Sequence, residues 1–177
     1  MAEADLIGKL RKEIGDEVEP YKFSPEYLES LIQDAVGDYS RYRPRKRKGT
    51  VNLTPGVTEF PLPADYQTWL TGLDGYEVLD KTIYLDSAPT SAVGVSFTYL
   101  ADHTAETVPD RDTPILLDYC MWRLLSDIIR EGAEISGLKL GKGLEIEFDN
   151  FNQVEKLAAK RLENYHRSVK KVMGGYS

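Results

Sequence analysis

Apolar residues recur at helical spacing in four stretches of this chain, and between the second and third they give way to strict alternation. Leu6, Ile7, Leu10 and Ile14 mark a short amphipathic helix over residues 2–14, ended by Gly15. The segment DEVEPYKF reads as a linker. Ser24 is then a good N-cap, with Pro25 at the first helical position and Glu26 in the first turn. Leu28, Leu31, Ile32, Ala35, Val36 and Tyr39 follow at the i, i+3, i+4, i+7 spacing of a core-facing helix, which Pro44 ends near Tyr42 or Arg43. Gly37 sits on its polar face, where it costs about 1 kcal/mol relative to alanine.

Between residues 49 and 103 the period changes to two. TVNL, a Thr54-Pro55-Gly56 turn and VTEFPL read as one hairpin. Glu77–Leu79 and Thr82–Leu85 around Asp80-Lys81 read as a tighter one. Ala64–Leu70 reads as a loop or a helical turn. Val93, Val95, Phe97 and Tyr99 alternate as in a half-buried strand.

The stretch TPILLDYCMWRLLSDIIREG, Thr113 to Gly132, is the helix around which the chain is organised. Asp112 or Thr113 caps it, Pro114 takes a first-turn position and Gly132 stops it. Leu117, Met121, Trp122, Leu124, Leu125, Ile128 and Ile129 fall on one broad face. Leu116, Tyr119 and Cys120 lie on or beside the polar side. They require cover, from another segment of the chain or from a second copy, and so are candidate subunit-interface residues. The last pattern, from about Leu144 to Val172, places Phe148, Phe151, Val154, Ala158, Leu162, Tyr165, Val169 and Val172 on one face of a helix roughly 40 Å long. A four-residue tail, 174–177, follows.

These elements define an α+β, mainly helical fold. A bundle of about four helices carries an inserted antiparallel β region. One domain is expected: N-terminal helices in 1–48, the insertion in 49–103, a central helix in 112–132 and a long C-terminal helix in 144–173.

Composition alters this picture little. The 177 residues are 41% hydrophobic and 29% charged, which is ordinary for a globular domain. No apolar run is long enough to span a membrane, and MAEADLIGKL lacks the basic start and apolar block of a signal peptide. The single cysteine, Cys120, excludes an internal disulfide and favours a reducing compartment.

Charge alters it more. The net charge is −7, yet Arg41, Arg43, Arg45, Lys46, Arg47 and Lys48 fall within eight residues containing no acid. The rest of the chain holds 16 basic against 29 acidic side chains. Such a run suits contact with DNA phosphates without base reading, or an acidic patch on a partner protein, as well as plain solvation.

No other motif carries chemistry. Gly137-Leu-Lys-Leu-Gly-Lys-Gly143 is one spacer short of a phosphate loop and has Gly143 in place of its Ser or Thr. His103 and His166 have no Cys or Asp at ligand spacing, and both read as surface residues. Cys120 reads as a buried, inert thiol. Asp118 points toward the apolar face, where a capping or hydrogen-bonding role is expected. No catalytic, metal or cofactor-binding residues are assigned.

SPEYLESLIQDAVGDYSRY, VTEFPLPADY and TPILLDYCMWRLLSDIIREGAE, in this order and layout, resemble the head–tail connector (adaptor, or head-completion) proteins of tailed bacteriophages. The β insertion here is longer than in the smaller connectors. The resemblance implies a virion structural protein and not an enzyme. It would be assembled in the host cytoplasm into a ring, usually a dodecamer, below the portal. The ring extends the channel for double-stranded DNA and gives a stopper or tail-completion protein its docking platform. It also implies that the last helix and tail, with Arg167, Lys170, Lys171 and Tyr176, reach the portal. A nucleic-acid-binding module using residues 41–48 is the alternative.

Overall fold

The computed structural model describes residues 3–131, 138–140, 144–146 and 151–170. The fold is α+β and mainly helical, and the chain forms two compact units. One is helical and is built from both ends of the chain, Met1–Tyr42 with Thr104–Ser177. The other, Arg43–His103, is β.

The helical unit contains α1 (Glu3–Ile14), α2 (Pro25–Tyr42), α3 (Thr113–Glu131) and α4 (Phe151–Lys170). α1 ends as the sequence predicts. Gly15 takes φ +67°, Asp16 N donates to Arg11 O at 2.9 Å, and Gly15 N to Lys12 O at 3.4 Å, which together close a Schellman motif. α2 starts on Ser24, whose Oγ accepts from Tyr27 N at 3.2 Å. A 3-10 turn, Asp110–Asp112, leads into α3.

α3 packs against α1, α2 and α4. Leu116 and Cys120 are 1% and 0% exposed and belong to the helical unit's own core, with Cys120 Sγ donating to Leu31 O at 3.4 Å. The expectation that they form a subunit contact is therefore corrected: helices of the same chain take up their whole surface. Only Tyr119 of that trio is partly exposed. Asp118 is met by α4, where Arg161 Nη1 donates to its Oδ1 at 2.8 Å while Arg161 Nη2 reaches Glu13 of α1 at 3.0 Å. One guanidinium so ties three helices together.

The expected start of the last helix is also corrected. Leu144–Ile146 is a strand, β8, paired antiparallel with β7 (Leu138–Leu140), and α4 begins at Phe151. Leu-Glu-Ile matches strand and helix patterns equally at that length, and the pairing decides it.

The β unit holds two three-stranded antiparallel sheets. In the first, β6 (Val93–Ala101) lies between β1 (Arg45–Leu53) and β3 (Tyr66–Thr71). In the second, β5 (Thr82–Tyr84) lies between β2 (Glu59–Pro61) and β4 (Glu77–Leu79). The tight hairpin forms as read: Asp80 and Lys81 both take positive φ, as a two-residue primed turn requires.

Three readings fail here. β1 does not pair with β2 but with the distant β6, so Thr54-Pro55-Gly56 joins two sheets instead of closing a hairpin. The 64–70 stretch contains a strand, β3, because Tyr66, Thr68 and Trp69 find partners along β6. The β region also begins before residue 49, since Arg45–Lys48 are the first residues of β1. The core of this unit is Val51, Leu53, Phe60, Tyr66, Leu73, Ile83, Phe97 and Tyr99 with their neighbours.

Candidate functional site

The basic run is divided between the two units. Arg41 lies in the last turn of α2, 79% exposed, with Asp38 Oδ1 at 3.7 Å. Arg43 is half-buried. Arg45, Lys46, Arg47 and Lys48 are on β1, where the period of two sends alternate side chains to opposite faces.

Arg45 and Arg47 continue the inward row of Val51 and Leu53. Opposite them on β6 stand Ala101 and Tyr99. Both converge on Asp65, just ahead of β3. Arg45 Nη2 donates to Asp65 Oδ2 at 2.9 Å, Arg47 Nη1 donates to the same oxygen, and the Tyr99 hydroxyl donates to Oδ1 at 3.1 Å. Arg45 Nε also donates to the Asp102 carbonyl at 3.0 Å. Burial pushes the Asp65 carboxyl up, but the hydrogen bonds from Arg47, Tyr99 and Arg45 outweigh it and hold it below the usual carboxylate range. Burial and the Asp65 hydrogen bond both raise the Tyr99 phenol. Two of the six cations are therefore struts of the β unit. Gly49 ends this polar segment: a Cβ there would lie 2.7 Å from Phe97 Cζ, so the Phe97 ring needs the glycine.

Lys46 and Lys48 occupy the other face. Both are exposed, and neither has an ion-pair partner among the described residues. Leu100 and Thr98 stand opposite them on β6, with Thr68 and Thr71 beyond on β3. Thr50 and Ser96 pair hydroxyls at 3.3 Å. A shallow depression of about 370 Å³ opens between Lys48, Thr50, Thr71, Ser96 and Thr98. Two cations on an open sheet surface dressed with hydroxyls can hold an anion or an acidic partner segment.

The helical unit has a second depression, of about 310 Å³, lined by Asp34, Gly37, Asp38, Arg41, Tyr119 and Arg123 among others. It brings together two residues the sequence singled out separately, Arg41 and Tyr119. Tyr119 stacks edge-on against Trp122 and Tyr165, and the Tyr165 hydroxyl donates to Asp38. Burial raises both phenols, with Asp38 adding to each. Its lining holds the acids Asp34 and Asp38 and the bases Arg41 and Arg123, so its field is mixed.

Cys120 is buried and its thiol is pushed far up by burial, which makes it inert, as read. His166 is half-buried beside Tyr165, and its Nδ1 finds no hydrogen-bond partner among the described residues. The surface reading of that histidine is corrected accordingly. Arg167 and Lys170 are exposed at the end of α4, with Arg167 Nη2 donating to Asn164 at 2.9 Å. Lys171 and Tyr176 lie outside the described residues, as do Gly137, Gly141 and Gly143 of the glycine segment. Among the described residues, no three His, Cys, Asp or Glu side chains are grouped to hold a metal ion. No helix there is long and apolar enough to cross a membrane.

Two groups escaped the sequence reading. Asp65 organises the basic strand from some twenty residues away and had no motif to mark it. Arg11, in the last turn of α1, forms a buried pair at 2.6 Å with Asp16, the first residue of what read as a plain linker.

No family model matches the chain, and no curated protein matches it.

Proposed function

We propose that this chain is the subunit of a bacteriophage head–tail connector: a virion protein, without enzymatic activity, that forms a ring beneath the portal. The ring, a dodecamer on this reading, extends the DNA channel and carries a stopper or tail-completion protein. One observation carries the reading. The helical unit is built from both ends of the chain around α3, and the β unit Arg43–His103 is set between α2 and α3. That order of parts is the layout by which the sequence resembles the connector proteins. Size-exclusion chromatography with light scattering, and electron microscopy of mixtures with portal protein, test it. Ring-sized oligomers, alone or on the portal, are expected. A chain that stays monomeric and ignores the portal overturns the reading.

A second reading, a nucleic-acid-binding module, is favoured by the exposed Lys46 and Lys48 on the open face of the first sheet. It moves phosphate contact from Arg45 and Arg47, which Asp65 engages, toward those two lysines. Retention on double-stranded DNA that falls steeply with salt and disappears in K46E/K48E is its expected result. No retention at low salt removes it.

A further inference from the structure

The loop between α1 and α2 is built as a rigid display. Arg11 and Asp16, 8% and 4% exposed, form an ion pair at 2.6 Å. Arg11 Nη2 also donates to the Phe23 carbonyl at 3.2 Å, and its guanidinium lies 3.8 Å from the centre of the Tyr21 ring. Asp16 accepts from the backbone amides of Lys22 at 2.8 Å and Phe23 at 3.3 Å. Both ends of the loop are thereby fixed. Between them Glu17, Val18, Glu19 and Pro20 are exposed, Val18 at 81%.

A valine held out on a braced loop adds nothing to the stability of its own unit. It can enter a partner surface with little ordering cost, because the loop is already in place. Its flanking Glu17 and Glu19 ask for a surface with two cations around a partly apolar spot. The open face of the first sheet is such a surface. Lys46 and Lys48 stand about 7 Å apart on β1, and the half-buried Leu100 and the Thr98 methyl lie opposite them on β6. Neither lysine has an ion-pair partner among the described residues.

We propose that the Glu17–Val18–Glu19 loop of one copy docks on the Lys46/Lys48 sheet face of a second copy. The occupant follows from charge: this acidic loop and that basic face are opposite in sign and are different patches of one chain. The contact joins different patches, so each copy offers one half and accepts the other; repeated head to tail from copy to copy, it gives a ring where the rotation closes. The ring itself rests on the connector reading; the contact rests on the loop and the sheet face.

Charge exchange tests it, with chain assembly followed by light scattering at low and raised salt. Wild-type protein should assemble, less so in high salt. E17K/E19K and K46E/K48E should each weaken assembly by roughly tenfold or more while keeping the wild-type far-ultraviolet circular dichroism spectrum. An equimolar mixture of the two should assemble again, since each reversed patch then meets its complement, and so should the combined four-residue variant. Val18→Ala should weaken assembly without changing its salt dependence. If both charge-reversed proteins assemble as wild type does, the proposed contact is overturned and the connector reading stands. Loss of DNA retention in K46E/K48E with assembly intact assigns the face to nucleic acid and overturns the contact as well. A wild-type chain that is monomeric with and without portal overturns both.

Discussion

The Tyr39 hydroxyl donates to Asp112 Oδ2 at 2.6 Å, with both residues buried in the helical unit. They stand on either side of the β unit in sequence: Tyr39 in the closing turns of α2, Asp112 in the 3-10 turn that opens α3. This bond helps close the helical unit across the point where the chain leaves it and returns. Asp112 is also one of the two residues, with Thr113, that the sequence offers as the cap of α3.

Tyr39→Phe keeps the ring and removes the donor from a buried carboxylate. A loss of about 1–2 kcal/mol in the stability of the helical unit is expected, read by urea denaturation with far-ultraviolet circular dichroism. A denaturation midpoint equal to wild type would mean that the bond contributes nothing.

Asp65 makes the β unit sensitive to acid. Its carboxyl titrates lower in the folded state than in the unfolded chain, because Arg47, Tyr99 and Arg45 bond its ionised form. The stabilisation is therefore fully present above the ordinary carboxylate range, declines as pH falls below it, and is gone once pH passes the lowered folded value. Asp65→Asn should destabilise the β unit at neutral pH and flatten that acid limb. Tryptophan fluorescence of Trp69 against pH follows it, with Trp122→Phe as the background to leave one reporter.

Arg161 joins α1, α3 and α4 through Glu13 and Asp118. Its side chain is 27% exposed and that of Asp118 16%, so solvent screens part of the interaction. Arg161→Ala leaves Asp118 half-buried without this partner. A cost of about 1–2 kcal/mol is expected from thermal melting. Asp118→Asn in the Arg161→Ala background should return part of it, because the unpaired charge is then removed.

Gly37 lies on the rim of the hollow beside Tyr119, and nothing stands within 4 Å of where its Cβ would be. No close approach requires glycine there. Gly37→Ala should raise stability by about 0.5–1 kcal/mol through helix propensity alone. A destabilised variant would show that α2 needs the glycine's freedom for some other conformation.

Much of this architecture was legible in the chain itself. Leu28, Leu31, Ile32, Ala35, Val36 and Tyr39 predict α2 and all are buried. Val93–Leu100 predicts a strand, which runs one residue further to Ala101, and Asp80-Lys81 predicts its turn. Spacing, capping and turn chemistry are local, so a helix period or a primed turn can be read from neighbours along the sequence. Pairing is not local. Leu53 was read as turning toward Phe60, yet β1 runs along β6 some fifty residues away; Tyr66–Thr71 became a strand only because β6 had a second edge. The same limit applied to charge. The sequence contains six cations within eight residues, and folding alone decides that Asp65 takes Arg45 and Arg47 while Lys46 and Lys48 face outward. Likewise the apolar surplus of α3 was visible in Leu116 and Cys120. That helices of the same chain cover them was settled by tertiary packing, because a hydrophobic pattern specifies that a face must be buried and says nothing of what buries it.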